Sequence, residues 1–247
     1  MNYKNWLLYR LLRTIYHWIL RTWKSFISMF TDKFSREFIC KQDVRLVYLN
    51  NPKVACSSIK VSMFGDFEYI HRYVQNNNYE TKSLSPEMRS YYKFTFVRNP
   101  YVRLVSCYED KIVKNKDHFP QYYHIDMQGI TNFDDFIKRI IKISYYEADP
   151  HFASQYRLTH NKWGKCLVDY VGKFENLKND YEPIRIRFGL NPLPHRNKVA
   201  SLLGKNWMDY YTLETAELVY KKYKKDFTAF GYKDECRKLK EYLKQKV

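Results

Sequence analysis

Two short segments of the chain gather side chains that bind anions. The first runs Asn51-Pro52-Lys53-Val54-Ala55-Cys56-Ser57-Ser58-Ile59-Lys60. Before it, Arg45 to Leu49 (RLVYL) reads as a short buried strand, ended by Asn50, Asn51 and Pro52. After it, Ser57 to Phe64 reads as a helix. A strand-loop-helix unit points backbone N–H groups at whatever sits over the helix N-terminus, and Lys53, Ser57 and Ser58 add side-chain donors. Taken alone, the segment reads better as an ordinary turn with Ser57 or Ser58 as helix cap. The Gly-rich loop that cradles ATP phosphates is absent, which argues against ATP hydrolysis by that route. The second segment is Phe94-Thr95-Phe96-Val97-Arg98-Asn99-Pro100-Tyr101-Val102-Arg103-Leu104-Val105-Ser106. Here too a strand, Tyr92 to Val97, runs into a helix, with Asn99 as cap and Pro100 in the first turn. Arg98 falls at the strand's C-terminal end, where open α/β sheets bind ligands, and its guanidinium fork matches a pair of phosphate oxygens. Ser106 lies two turns along and can donate only to a phosphate beside the helix. Arg103 reads as a second ligand or, the favoured reading, a surface charge. Two anion sites at two strand ends suit a nucleotide phosphorylated at two places.

The elements that must position these residues follow from periodicity. Leu167 to Lys173 reads as a third strand. Helices are expected over Leu104–Ile112, over Phe133–Ile143 with Asn132 as cap, around Asp180–Arg187, and from Leu213 to Phe227. Gly65 to Ser85 is polar and Asn-rich, so it reads as loop with short elements. Strands alternating with helices predict an α/β fold, a central and mostly parallel sheet flanked by helices. The expected organisation is a helical extension over residues 1–40, one domain over 41–235, and a basic tail over 236–247.

Composition narrows the partners. With 43 Lys and Arg against 26 acids, the 247-residue chain carries +17. That favours an anionic partner, whether nucleic acid, acidic membrane, anionic glycan or nucleotide, or else reflects a lysine-rich background. No RNA- or DNA-binding motif is visible, so no nucleic-acid partner is expected. Cys40, Cys56, Cys107, Cys166 and Cys236 are odd in number and widely spaced. A disulfide framework and a zinc site are both disfavoured, and a reducing, cytoplasmic compartment is the expectation. The first 30 residues hold Lys4, Arg10, Arg13, Arg21 and Lys24 but no acid. Leu8, Leu11, Leu12, Ile15 and Ile19 recur at helical spacing among Trp6, Trp18 and Trp23. Such a helix can lie in a membrane interface, here the inner face, or pack on its own domain or a partner subunit. Its longest uncharged stretch, Thr14 to Leu20, is too short to span a bilayer.

The segments PKVACSSIK and FVRNPYVRLVSCYEDK resemble the nucleotide-binding signatures of the carbohydrate sulfotransferases that include the chondroitin and dermatan 4-O and HNK-1 enzymes. Later blocks are similar too: Asp149 to Gln155 (DPHFASQ), Val168 to Leu177 (VDYVGKFENL) and Tyr223 to Tyr232 (YKKDFTAFGY). The resemblance implies a P-loop-like sulfotransferase fold and the donor PAPS (3'-phosphoadenosine-5'-phosphosulfate), with a glycan hydroxyl as acceptor. It implies that Lys53, Ala55, Cys56, Ser57 and Ser58 hold the 5'-phosphosulfate, and Arg98 and Ser106 the 3'-phosphate. No metal is required. Lys53 then stabilises charge on the departing oxygen, and His151 or, second, His71 takes the acceptor's proton. Glu109 and Asp110 are further candidates that suit salt links better. Arg196 and Lys198 either close over the phosphates or lie in a surface loop. Two other readings remain: a salt-sensitive binding module for anionic polymer or membrane, and a P-loop-like phosphotransferase.

Overall fold

Short runs of β-branched and aromatic residues build the sheet. The computed structural model describes residues 36–114, 127–194 and 206–246, together with Tyr9, Leu11, Leu12, Ile15, Tyr16, Ile19 and Trp23. The strands are β1 (Phe38–Lys41), β2 (Leu46–Leu49), β3 (Glu80–Thr81), β4 (Tyr92–Val97) and β5 (Tyr170–Lys173), ordered β3-β1-β2-β4-β5. The β2–β4 and β4–β5 pairs are parallel, and β1 runs antiparallel to both β2 and β3. Four of the five strands therefore share one direction, the mostly parallel α/β sheet that the sequence predicted. β1 and β3 are additions to that expectation.

Helices cover both faces, so β2 is buried along its whole length, as a central parallel strand must be. On one face α1 (Cys56–Phe64), α2 (Ile70–Asn76) and α6 (Leu177–Arg187) pack on Leu46, Tyr48, Phe94 and Phe96. A second core joins α3 (Pro100–Tyr108), α4 (Phe133–Ile140), α7 (Leu213–Lys222), α8 (Lys224–Ala229) and α9 (Glu235–Gln245). Leu239 and Leu243 of α9 are buried in it, so the basic residues of this segment ride on a packed helix. The short α5 (Gln155–Thr159) has its N-terminal amides held by the buried Asp226, which accepts from the backbone of Gln155 and Tyr156. Asn132 caps α4 and Asn99 caps α3, with Pro100 opening the helix. Gly172 of β5 sits opposite Phe96 in β4, and a methyl there would come within 2.3 Å of the Phe96 ring.

The consequence for function lies in direction. Because β2, β4 and β5 are parallel, the loops after Leu49, Val97 and Lys173 leave the sheet at the same edge. Tyr9, Leu11, Leu12, Ile15, Tyr16, Ile19 and Trp23 are helical and exposed. Among the described residues no helix is long and apolar enough to cross a membrane. The basic residues interleaved with them, and Arg196 and Lys198, lie outside the described residues.

Candidate active site

The loop after β2 has an unusual shape. Lys53 and Ala55 both take left-handed dihedrals, at φ +69° and +54°, where a side chain is disfavoured. Ala55 is the N-cap of α1 and offers no side-chain acceptor. A left-handed residue followed by the right-handed first turn turns successive N–H groups inward, making a nest for an anion. Neither Ser57 nor Ser58 caps the helix, and Ala55 to Ser58, at the start of α1, line the cavity with no capping side chain on their amides.

Arg98 follows β4 at the same edge. Its residue is only 4% exposed, and its Nη1 donates to the Lys53 carbonyl at 3.2 Å. The guanidinium lies 4.2 Å from the centre of the Phe174 ring, which comes from the end of β5. Its Nε is buried without a hydrogen-bond partner among the described residues. Burial and the nearby Arg103 lower its pKa to about 10, so it stays charged at neutral pH, while Glu175 works in the opposite direction. A buried cation with an idle donor is the mark of a site shaped for an anion.

The two loops are tied together by Gln155. Its amide accepts from the Arg98 N–H at 2.9 Å and donates to the Arg98 carbonyl at 2.7 Å. It also accepts from Asn51, which in turn donates to the carbonyl of Phe96. Glu175 accepts from the Asn99 N–H and from Tyr232, fixing the turn that follows Arg98. Arg103, expected on the surface, is instead 1% exposed. It donates to the carbonyls of Pro52, Ala153 and Pro150 at 3.1, 2.7 and 2.7 Å. The residue before Lys53 and both flanks of His151 thus hang on one guanidinium. A helical Arg facing inward is offset by the three carbonyls that it satisfies, a pairing that leaves no trace in local sequence.

Lys53, Ala55, Cys56, Ser57, Ser58, His71, Arg98, Ser106 and His151 all line one cavity of about 500 Å³. Lys53 Nζ is 3.0 Å from Asp110, which also meets Lys111 at 3.4 Å. Burial raises the Asp110 pKa, but the two lysines outweigh it and hold the carboxyl below its ordinary value. Asp110 and Lys111 come from a π-helical turn, Glu109–Lys114, that continues α3. Its wider turn carries them to the cavity, while Glu109 is buried and accepts from Tyr210. Asp110 therefore makes the salt link that suited it, and Glu109 serves the packing. His151 Nδ1 lies 2.7 Å from the Asp149 carboxylate. Burial pushes the Asp149 carboxyl up, but hydrogen bonds and charge from His151 hold it low overall. An ionised Asp149 accepts a proton from Nδ1, so in the neutral ring Nε2 is the acceptor. Asp149, Lys111 and Phe174 were not singled out by sequence. The Asp149-Pro150-His151 adjacency was the one signal available for the first of them. Among the described residues no cluster of His, Cys, Asp and Glu could hold a metal ion.

Residues 36–233 match the sulfotransferase family. The chain belongs to that family. Three similar relatives of this sulfotransferase-family chain carry names. Carbohydrate sulfotransferase 12 of Mus musculus is 27% identical over 172 residues, covering 59% of this chain and 41% of that protein. Carbohydrate sulfotransferase 10 of Xenopus laevis is 22% identical over 236 residues, covering 77% and 65%. Carbohydrate sulfotransferase 11 of Rattus norvegicus is 24% identical over 240 residues, covering 80% and 67%. The chain thus spans 41% to 67% of the length of these relatives. No solved structure matches it.

Proposed function

We propose that the protein transfers a sulfuryl group from PAPS to a hydroxyl of a carbohydrate acceptor. One observation carries the reading: two anion sites of different design open onto one cavity in a chain of the sulfotransferase family. The amides of α1 with Ser57 and Ser58 hold the 5'-phosphate. Arg98, with its idle Nε, and Ser106 hold the 3'-phosphate. The acceptor oxygen attacks the donor's sulfur in line, so that a new S–O bond forms as the bond from sulfur to the bridging oxygen breaks and PAP leaves. Lys53 stabilises charge on the departing bridging oxygen, as a preorganised cation in a partly dry site does best. His151, oriented by Asp149, takes the acceptor's proton at Nε2. The carbohydrate acceptor follows from the names of the relatives.

Binding of the product nucleotide PAP (adenosine 3',5'-bisphosphate) tests the donor half. At 100 times its Kd, PAP stabilises by about 2.7 kcal/mol. A chain of this size should then melt roughly 5–10 °C higher. Arg98→Ala is expected to abolish the shift. No PAP binding by calorimetry at millimolar ligand would refute the reading. The phosphotransferase alternative needs metal-dependent ATP turnover, and the loop at Lys53 has no glycine to serve it.

A second observation supports a peripheral membrane location on a cytoplasmic face. Leu11, Leu12, Ile15, Ile19 and Trp23 are each helical and 44–63% exposed, within a segment that holds Lys4, Arg10, Arg13, Arg21 and Lys24 and no acid. Apolar side chains and basic charge together fit an anionic lipid surface. The five thiols are free, as a reducing compartment would keep them. The full chain should float with phosphatidylserine vesicles, and Leu12→Asp with Ile19→Asp should release it. Flotation that survives both substitutions would count against the helix as the contact.

A further inference from the structure

His71 stands between two groups of α1 and occupies both of its ring nitrogens. Nε2 lies 2.8 Å from Ser57 Oγ, and Nδ1 lies 3.1 Å from Lys60 Nζ. Lys60 is 1% exposed, and its ammonium also faces Glu80 at 3.9 Å. An ammonium donates and cannot accept. Nδ1 must therefore be the acceptor, and the ring proton must sit on Nε2. That proton is donated to Ser57 Oγ. A hydroxyl has one proton and two lone pairs, so with His71 occupying a lone pair, the Ser57 proton remains for another partner. Ser57 lines the cavity in the first turn of α1, among the amides that make the anion nest.

We infer that His71 is a positioning residue: with Lys60 setting its tautomer, it fixes the Ser57 hydroxyl as a donor to the 5'-phosphate of the bound nucleotide. The inference rests on the donor reading above, and it replaces the role of proton acceptor that the sequence suggested for His71. A proton acceptor needs an idle nitrogen, and His71 has none, whereas His151 Nε2 has no hydrogen-bond partner among the described residues. The surroundings also keep the ring neutral. Partial burial, then Lys60, with smaller effects of His151 and Lys111, lower its pKa to about 4 against an opposing effect of Glu37. A protonated ring would carry a proton on Nδ1 facing the Lys60 ammonium, and the arrangement would break.

The test uses the full chain and two probes, PAP and adenosine 3'-monophosphate, which lacks the 5'-phosphate. Ser57→Ala and His71→Ala should each weaken PAP binding about tenfold, the size of one charge-assisted hydrogen bond. The double variant should be no weaker than either single one, because both remove the same donor. Affinity for adenosine 3'-monophosphate should not change in any of them. His71→Gln, whose amide can still donate to Ser57, should recover most of the loss. Additive losses, or an equal loss for both probes, would overturn the inference. So would unchanged PAP affinity with a collapse of kcat, which would make His71 the proton acceptor after all. Wild-type protein that binds no PAP would overturn the donor reading itself, and this inference with it.

Discussion

Lys53→Ala is expected to lower the rate of sulfuryl transfer from bound donor by about 100- to 1,000-fold, the loss typical of one preorganised donor at a developing charge. The side chain of Lys53 is only 15% exposed, and Asp110 holds its Nζ at 3.0 Å. It is therefore in place before any ligand arrives, and its field is weakly screened by water. Charge on the bridging oxygen is small in the ground state and large as the bond breaks, so the loss should fall mainly on kcat. PAP binding should weaken far less, since the amides of α1 and Arg98 remain. Single-turnover kinetics with labelled PAPS and a glycan acceptor would separate the two. Equal loss in PAP affinity and in rate would make Lys53 a simple phosphate ligand. Backbone strain does not confound the comparison, because alanine meets the same φ penalty as lysine at this position.

Arg103→Met is expected to destabilise the fold by about 3–5 kcal/mol, the range found when one partner of a buried charged network is removed. The methionine fills much of the volume but donates nothing. The carbonyls of Pro52, Pro150 and Ala153 then lose the guanidinium that they share. Each buried carbonyl left without a donor costs about 1–3 kcal/mol unless water reaches it. Urea unfolding would read the change as a lower midpoint with an unchanged slope. A loss below 1 kcal/mol would show that water or a rearranged loop replaces the guanidinium. Arg103→Lys should recover only part of the loss, because an ammonium cannot span three carbonyls with the reach of a planar fork.

The strand ends were legible in sequence because they combine two strong local signals. RLVYL and YKFTFV are buried, β-rich runs, and each is followed at once by a turn and a helix. β5 was legible too, but β1 and β3 were not. β3 is two residues long and sits in an Asn-rich stretch, and β1 gains its place by pairing with β2 and β3 rather than by its own pattern. The same polar stretch hid α2, and with it the chance to see His71 against Lys60. Asp110 and Lys111 were missed as a pair around Lys53 for a geometric reason. A period of 3.6 residues describes α3, but the π-helical turn after Tyr108 adds a residue per turn and changes which side chains face the cavity. Arg103 was misread because nothing in its neighbours marks a buried cation. Its partners are backbone carbonyls about fifty residues away. The roles of Ser57 and Ser58 stayed open in sequence between cap and ligand, and the left-handed Ala55 takes the cap position without a capping side chain, so neither serine is the cap.

The two left-handed residues also make the β2–α1 loop a bent spring. Each stores on the order of 1–2 kcal/mol relative to a relaxed backbone. Something must pin the bend, and two arginines do so from the outside: Arg103 at the Pro52 carbonyl and Arg98 at the Lys53 carbonyl. The first pin is buried and does not itself line the cavity, and the same guanidinium also holds the carbonyls of Pro150 and Ala153. The second belongs to a guanidinium that a 3'-phosphate would pull on. On the donor reading proposed above, tension applied at the 3'-phosphate would be delivered, through a single hydrogen bond, to the backbone of Lys53 at the other end of the nucleotide.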